Sequence, residues 1–148
     1  MTAQLNYCHE REKMTTLSKK ILIVDDDESI RNLMKIWLDQ LGYDPEFAEN
    51  GKEAFEILEK EAFPLIITDL GLPEIDGIKL CAQIREKNPE TVIYAFSGGI
   101  TEFESDQFEE IGFDGVLCKP LKLKVLEHAI EGAFEKINKW RERLPASF

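Results

Sequence analysis

Five short apolar runs punctuate this chain, and each is followed by a stretch with helical spacing. The first, ILIVD (21–25), is rich in β-branched residues and too short for a helix. LIITD (65–69), TVIYAF (91–96) and GVLC (115–118) repeat the pattern. A weaker run covers Asp44–Ala48, with Pro45 near its start. Short runs that are apolar almost throughout mark strands buried on both faces. Pro45 has no N–H to give a ladder, which places its strand at an edge.

The intervening segments read as helices. From Asp27 to Leu41, the residues Ile30, Leu33, Met34, Trp37, Leu38 and Leu41 recur at helical spacing, Asp27 serves as cap and Gly42 ends the run. Asn50 caps a helix over 51–61 that turns Ala54, Phe55, Ile57 and Leu58 inward. A helix over Ile78–Lys87 closes at Asn88-Pro89. An acidic helix spans 102–111, and a long one runs from Lys122 to Arg143. Asp114 is read as a turn residue before the fifth strand. Strand–helix alternation of this kind predicts an α/β fold, a parallel sheet covered on both faces. Right-handed crossovers restrict its order, and five such units suit the flavodoxin-like order 2-1-3-4-5.

With 148 residues, the chain fits one domain with one good core. That domain is read over 20–140, after a flexible N-terminal extension (1–19) and before a tail (141–148). Met14 is an alternative start. The balance of 18 basic and 29 acidic residues argues against nucleic acid and anionic membrane as partners. No apolar run approaches the roughly 18 to 20 residues that span a bilayer, and no signal-peptide pattern opens the chain, so a cytoplasmic location is expected. Cys8, Cys81 and Cys118 lack metal-site spacing and read as reduced thiols.

In an open parallel sheet, ligands gather at the carboxyl ends of the strands. The first strand ends in Asp25-Asp26-Asp27, the third in Asp69, the fourth at Ser97, and the fifth one residue before Lys119. Crowded carboxylates repel one another, and a hard divalent cation such as Mg²⁺ relieves them. Lys119 adds a compact positive charge and Ser97 a hydroxyl donor. A carboxylate in such a setting is arranged to accept a phosphoryl group, with Asp69 as nucleophile. Taken singly, an Asp after a strand is an ordinary cap or turn residue. The weight lies in the co-occurrence at successive strand ends.

These residues resemble the response-regulator receiver family of two-component signalling over about 20–140. ILIVDDDESIR is similar to its first strand and acidic pair, TDLGLPEIDG to its phosphoacceptor loop, FSG to its switch hydroxyl, and GFDGVLCKPL to its lysine segment. The resemblance implies that Asp25 and Asp26 bind Mg²⁺, Asp26 more directly. It makes Asp69 both acceptor and ligand, with the backbone carbonyl of Gly71 completing the protein ligands. Lys119 would contact the phosphate, the Lys119-Pro120 peptide would be cis, and Ser97 would swing toward the phosphate on activation. The implied phosphodonor is a sensor histidine kinase or histidine phosphotransfer protein, and the output is contact with a downstream protein.

Three departures stand out. Val116 occupies the position of the family's rotating aromatic residue. Gly71 and Gly99 stand where family side chains handle the hydrolytic water. The last helix carries Leu126, Ile130, Ala133, Ile137, Trp140 and Leu144 at alternating spacings of four and three, and its end is offered as a contact for a second copy or a partner. The expected function is a stand-alone response regulator, a switch and not an enzyme. The alternative is a phosphorylation-independent interaction module with the same fold. An aspartyl phosphohydrolase is disfavoured because no general acid lies near Asp69.

Overall fold

The computed structural model describes residues 19–98 and 102–143, without the side chains of 102–106 and 141. The N-terminal extension with Cys8 and Met14, Gly99, Leu144, and the side chains of Glu102, Glu104 and Asp106 therefore lie outside the described residues. Strands β1 (Lys20–Val24), β2 (Asp44–Ala48), β3 (Leu65–Asp69), β4 (Val92–Ser97) and β5 (Gly115–Cys118) alternate with helices α1 (Glu28–Gln40), α2 (Gly51–Lys60), α3 (Gly77–Lys87), α4 (Glu102–Ile111) and α5 (Leu123–Glu142). All strand pairs are parallel, in the order β2-β1-β3-β4-β5. The flavodoxin-like order read from the sequence is the observed one, and Pro45 sits on the edge strand β2, opposite Ile21.

Period-two alternation divides the strands between two cores. Ile21, Ile23, Leu65, Ile67, Phe96 and Leu117 face α1 and α5, which contribute Met34, Leu38, Leu126, Ile130 and Ala133. Leu22, Val24, Ile66, Ile93 and Ala95 face the other three helices, which contribute Ala54, Leu80, Ile84 and, less buried, Phe108. Each fully buried Leu or Ile side chain is worth about 1.5–3 kcal/mol. The apolar stripe of α1 is narrower than its spacing suggests. Leu33 is exposed while Met34 and Leu38 are buried, because only one edge of the stripe meets the sheet.

The helix starts follow their caps. Asp27 accepts from the Ser29 amide, Asn50 from Glu53 and Asp76 from Lys79. The last cap starts α3 at Gly77, one residue earlier than the spacing predicts. Gly42 ends the first helix with φ +87°, a left-handed conformation that glycine adopts without strain. Strand β4 is shifted by one residue from the TVIYAF run. Thr91 is held in a turn by Asn88, and the ladder extends to Ser97 opposite Cys118.

Asp114 does more than form a turn. Its carboxylate accepts from the Ile93 amide (2.8 Å), pairs with Arg85 (2.9 Å) and also pairs with Lys136. Arg85 donates in addition to the Pro89, Thr91 and Gly112 carbonyls. This clasp ties α3, β4, β5 and α5 together at the amino-terminal margin of the sheet. Half-exposed Trp140 lies near it, where it and Ile137 line a cleft with Phe63 and Pro64.

Candidate functional site

The predicted residues meet at the opposite, carboxyl margin. Asp25 follows β1 directly and is fully buried, whereas Asp26 is exposed and Asp69 lies between these extremes. One carboxylate oxygen from each of the three lies within 4.8 Å of the others. The Asp27 amide donates to Asp25 Oδ1 (2.9 Å), and Arg31 donates to the Asp25 carbonyl (2.8 Å). Strand β1 thus enters α1 with its last carboxylate held inward. Burial pushes the Asp25 carboxyl above its ordinary range, and the charge of Asp69 adds to the rise; the Asp27 amide and Lys119 pull it back.

Lys119 reaches in from the end of β5. Its Nζ lies 3.3 Å from Asp25 Oδ2 and 3.6 Å from Asp69 Oδ2. The peptide that follows, Lys119-Pro120, is cis, as the resemblance implied. The Lys119 amide donates to the Ser97 carbonyl, so both residues share the same margin. The Ser97 hydroxyl, however, donates to the Gly98 carbonyl (3.2 Å) and so is engaged with its own loop. At Gly71 the amide donates to Asp69 Oδ1 (3.2 Å), a contact distinct from the carbonyl role inferred for that residue. Asp27 is a helix cap and not a member of the acidic cluster.

The loop after Asp69 is fixed by close backbone contact. A Cβ on Gly77 would lie 2.9 Å from the Leu70 Cα and 3.0 Å from the Asp69 carbonyl carbon, too close for any side chain. Helix α3 therefore starts directly on the backbone of Asp69. Between them, Ile75 N–H donates to the Pro73 carbonyl across Glu74, whose φ is +66°.

Three contributors were not singled out from sequence. Arg31 anchors the end of β1, Thr68 donates its hydroxyl to the Asp69 carbonyl, and the Phe96 ring lies under Lys119, 4.8 Å from Nζ. Only the placement of Phe96 just before Ser97 hinted at its nearness. Cys81 and Cys118 carry free thiols, and burial pushes the Cys81 thiol up to about 11.

Three carboxylates against one ammonium leave an excess of negative charge on hard oxygen donors. One of these donors is open to water, which suits a small divalent ion that keeps part of its hydration. Val116 is half-buried and packs with the core under α2, α3 and α4. Among the described residues, no helix is long and apolar enough to cross a membrane.

A five-stranded 2-1-3-4-5 sheet with an acidic cluster and a lysine at its carboxyl margin defines a class of flavodoxin-like α/β domains with a charged site at the strand ends. The family model described as Response regulator receiver domain matches residues 21–131, and the chain belongs to this family. It is 38% identical over 104 residues to the alkaline phosphatase synthesis transcriptional regulatory protein PhoP of Bacillus subtilis, covering 70% of this chain and 43% of that protein. It is 37% identical over 113 residues to the autoinducer 1 sensor kinase/phosphatase LuxN of Vibrio campbellii, covering 76% of this chain but 13% of that protein. The chain thus spans less than half the length of these relatives. Among solved structures, the chemotaxis protein CheY4 of Vibrio cholerae superposes with a TM-score of 0.73 at 28% identity, over 77% of this chain and 97% of that one. Receiver domains of this family act as signalling switches in two-component systems, typically with Mg²⁺ in an acidic pocket.

Proposed function

We propose that this chain is a phosphorylation-dependent switch of the cytoplasm. Asp69 accepts a phosphoryl group from a phosphohistidine on a sensor histidine kinase or histidine phosphotransfer protein, and the modified domain signals through contact with a protein target. The observation that carries this reading is the single ammonium of Lys119 held 3.3 Å from Asp25 and 3.6 Å from Asp69. It supplies positive charge beside the carboxylate that ends β3.

In the transfer, an Asp69 oxygen bonds to phosphorus as the N–P bond of the donor imidazole breaks. The electron pair returns to the ring nitrogen, which takes up a proton. Lys119 is placed to balance charge on the transferred oxygens. Asp25, Asp26 and Asp69, with the Gly71 carbonyl, would hold Mg²⁺, which when bound neutralises charge on the phosphoryl oxygens. Buried Asp25 keeps its carboxylate aimed at that place through the Asp27 amide. The Ser97 hydroxyl donates to the Gly98 carbonyl, and a change of its side-chain rotamer would release it to donate to the new anion. Gly71 leaves open space beside the acceptor, so the lifetime of the phosphoryl group is set by these shared residues. Polar side chains placed at 71 and 99 are expected to change the dephosphorylation rate; an unchanged rate removes this point.

The test of the main reading is incubation with Mg²⁺ and a small phosphodonor such as acetyl phosphate. A hydroxylamine-sensitive label on wild type, absent from Asp69→Asn, is expected. No label, or equal label on both, overturns the reading. Val116 favours a second reading, an interaction module that works without phosphate, because it offers no ring to rotate. Unchanged target binding by labelled protein would favour that module.

A further inference from the structure

The three acidic residues of the cluster are not held alike. Asp25 receives the Asp27 amide on Oδ1 and Lys119 on Oδ2, at 3.3 Å. Asp69 receives the Gly71 amide on Oδ1 and has Lys119 3.6 Å from Oδ2. Asp26 is exposed, and its carboxylate has no such contact among the described residues. One of its oxygens nevertheless lies within 4.8 Å of oxygens of the other two. Its direction is therefore set by the main chain.

That main chain is held by Arg31, one turn into α1. Arg31 Nη1 donates to the Asp25 carbonyl (2.8 Å), and Nη2 lies 3.4 Å from Glu49 Oε1. The Asp25 carbonyl belongs to the peptide that joins Asp25 to Asp26. A peptide is planar, so fixing its oxygen fixes the plane from which the Asp26 side chain departs. The Asp25 amide is already tied to the Ala48 carbonyl beside β2. Rotation about ψ of Asp25 is the freedom that the guanidinium removes. The Arg31 side chain is 15% exposed and spans both acceptors with one rigid fork, so it is itself ordered.

We propose that Arg31 is a positioning residue of the cation site: by holding the Asp25 carbonyl, it aims the Asp26 carboxylate at the place where the Asp25 and Asp69 oxygens meet. This rests on the Mg²⁺ part of the reading above and does not require phosphorylation of Asp69. Neighbours that orient ligands in this way are worth about 10- to 100-fold in metal affinity. Charge alone predicts the opposite sign, since removing a cation beside bound Mg²⁺ would strengthen binding.

The test titrates the ¹⁵N-labelled full chain with MgCl₂ and reads the dissociation constant from amide shifts. Arg31→Met keeps much of the apolar stem and removes the donors; it should raise the constant about tenfold. In an Asp26→Ala background, the same substitution should change it by less than about twofold. Arg85→Met, at the opposite margin, should lower the Tm and leave the constant as in wild type. Unchanged or tighter binding by Arg31→Met overturns the inference. An equal loss in both backgrounds, or a loss as large in Arg85→Met, overturns it too, since either marks general loosening. Should Arg31→Met fail to fold, Arg31→Lys decides. Its ammonium keeps the charge but not the fork, so weaker binding supports the inference and wild-type binding overturns it. A wild type that binds no Mg²⁺ overturns the metal reading and this inference together. A wild type that binds Mg²⁺ but takes no label from acetyl phosphate overturns the acceptor reading alone.

Discussion

Gly77→Ala tests how tightly the start of α3 is joined to the backbone of Asp69, the proposed acceptor. The added methyl would lie 2.9 Å from the Leu70 Cα and 3.0 Å from the Asp69 carbonyl carbon, with the carbonyl oxygen nearer still. Carbon atoms rest at about 3.5–4.0 Å, so the backbones must part by roughly 0.6 Å or more. Both belong to ordered main chain, β3 on one side and the Asp76-capped helix on the other, so neither can rotate away. Overpacking of this kind costs about 1–3 kcal/mol, and backbone neighbours push toward the upper end. Alanine returns up to about 1 kcal/mol through helix propensity, which leaves a net loss of about 2 kcal/mol. Urea unfolding should show a midpoint lower by about 1 M, and thermal unfolding a Tm lower by roughly 8 °C. Gly132→Ala is the control, since its methyl meets nothing within 4 Å; it should gain about 0.5–1 kcal/mol. Should Gly77→Ala match wild type within about 0.5 kcal/mol while the control behaves as stated, the close-contact argument fails.

The other predictions concern charge and strain. Asp25 has its carboxyl raised chiefly by burial, so its protonated form favours the fold: that contribution is complete below the ordinary carboxylate value near 3.8 and is lost as pH rises through the raised one. In EDTA, Asp25→Asn should therefore be more stable than wild type, by a margin that widens with pH across this window; millimolar Mg²⁺ should stabilise wild type alone. Equal unfolding curves at every pH would remove the desolvation argument. Asp114→Ala strands the Ile93 amide and leaves Arg85 with carbonyl acceptors alone, and is expected to cost about 2 kcal/mol in urea unfolding; a loss below about 1 kcal/mol would show that the clasp is not needed. Glu74→Gly relieves a φ of +66° and should raise stability by up to about 1 kcal/mol; a lower Tm would mean that the turn is not strained.

Most of the fold was legible because strands buried on both faces leave a plain trace. ILIV, LII and GVLC carry no polar interruption, and the helices between them announce their caps at Asp27 and Asn50. The site followed from topology, since parallel strands bring their carboxyl ends together whatever their separation in sequence. What stayed hidden depends on contacts between distant side chains. Asp114 looks like any turn residue, and only its meeting with Arg85 and Lys136 shows otherwise. Gly77 looks like part of a turn, yet the Asp69 backbone forbids a side chain there. Phe96 reads as one more core aromatic until Lys119 is seen above it. The direction of the Ser97 hydroxyl is a rotamer choice that no spacing encodes.

The clasp around Asp114 also bears on how a signal can travel. It riveted four elements at one margin of the sheet with bonds that phosphoryl chemistry does not touch. The far margin is held by Asp25, Asp69 and Lys119, the charges that the proposed phosphorylation of Asp69 would rewrite. A body pinned at one end and re-tensioned at the other fans open like the pages of a bound book; its layers do not slide. Displacements should then grow with distance from Asp114, being least at Ile93 and greatest at the loop tips after Asp69 and Ser97.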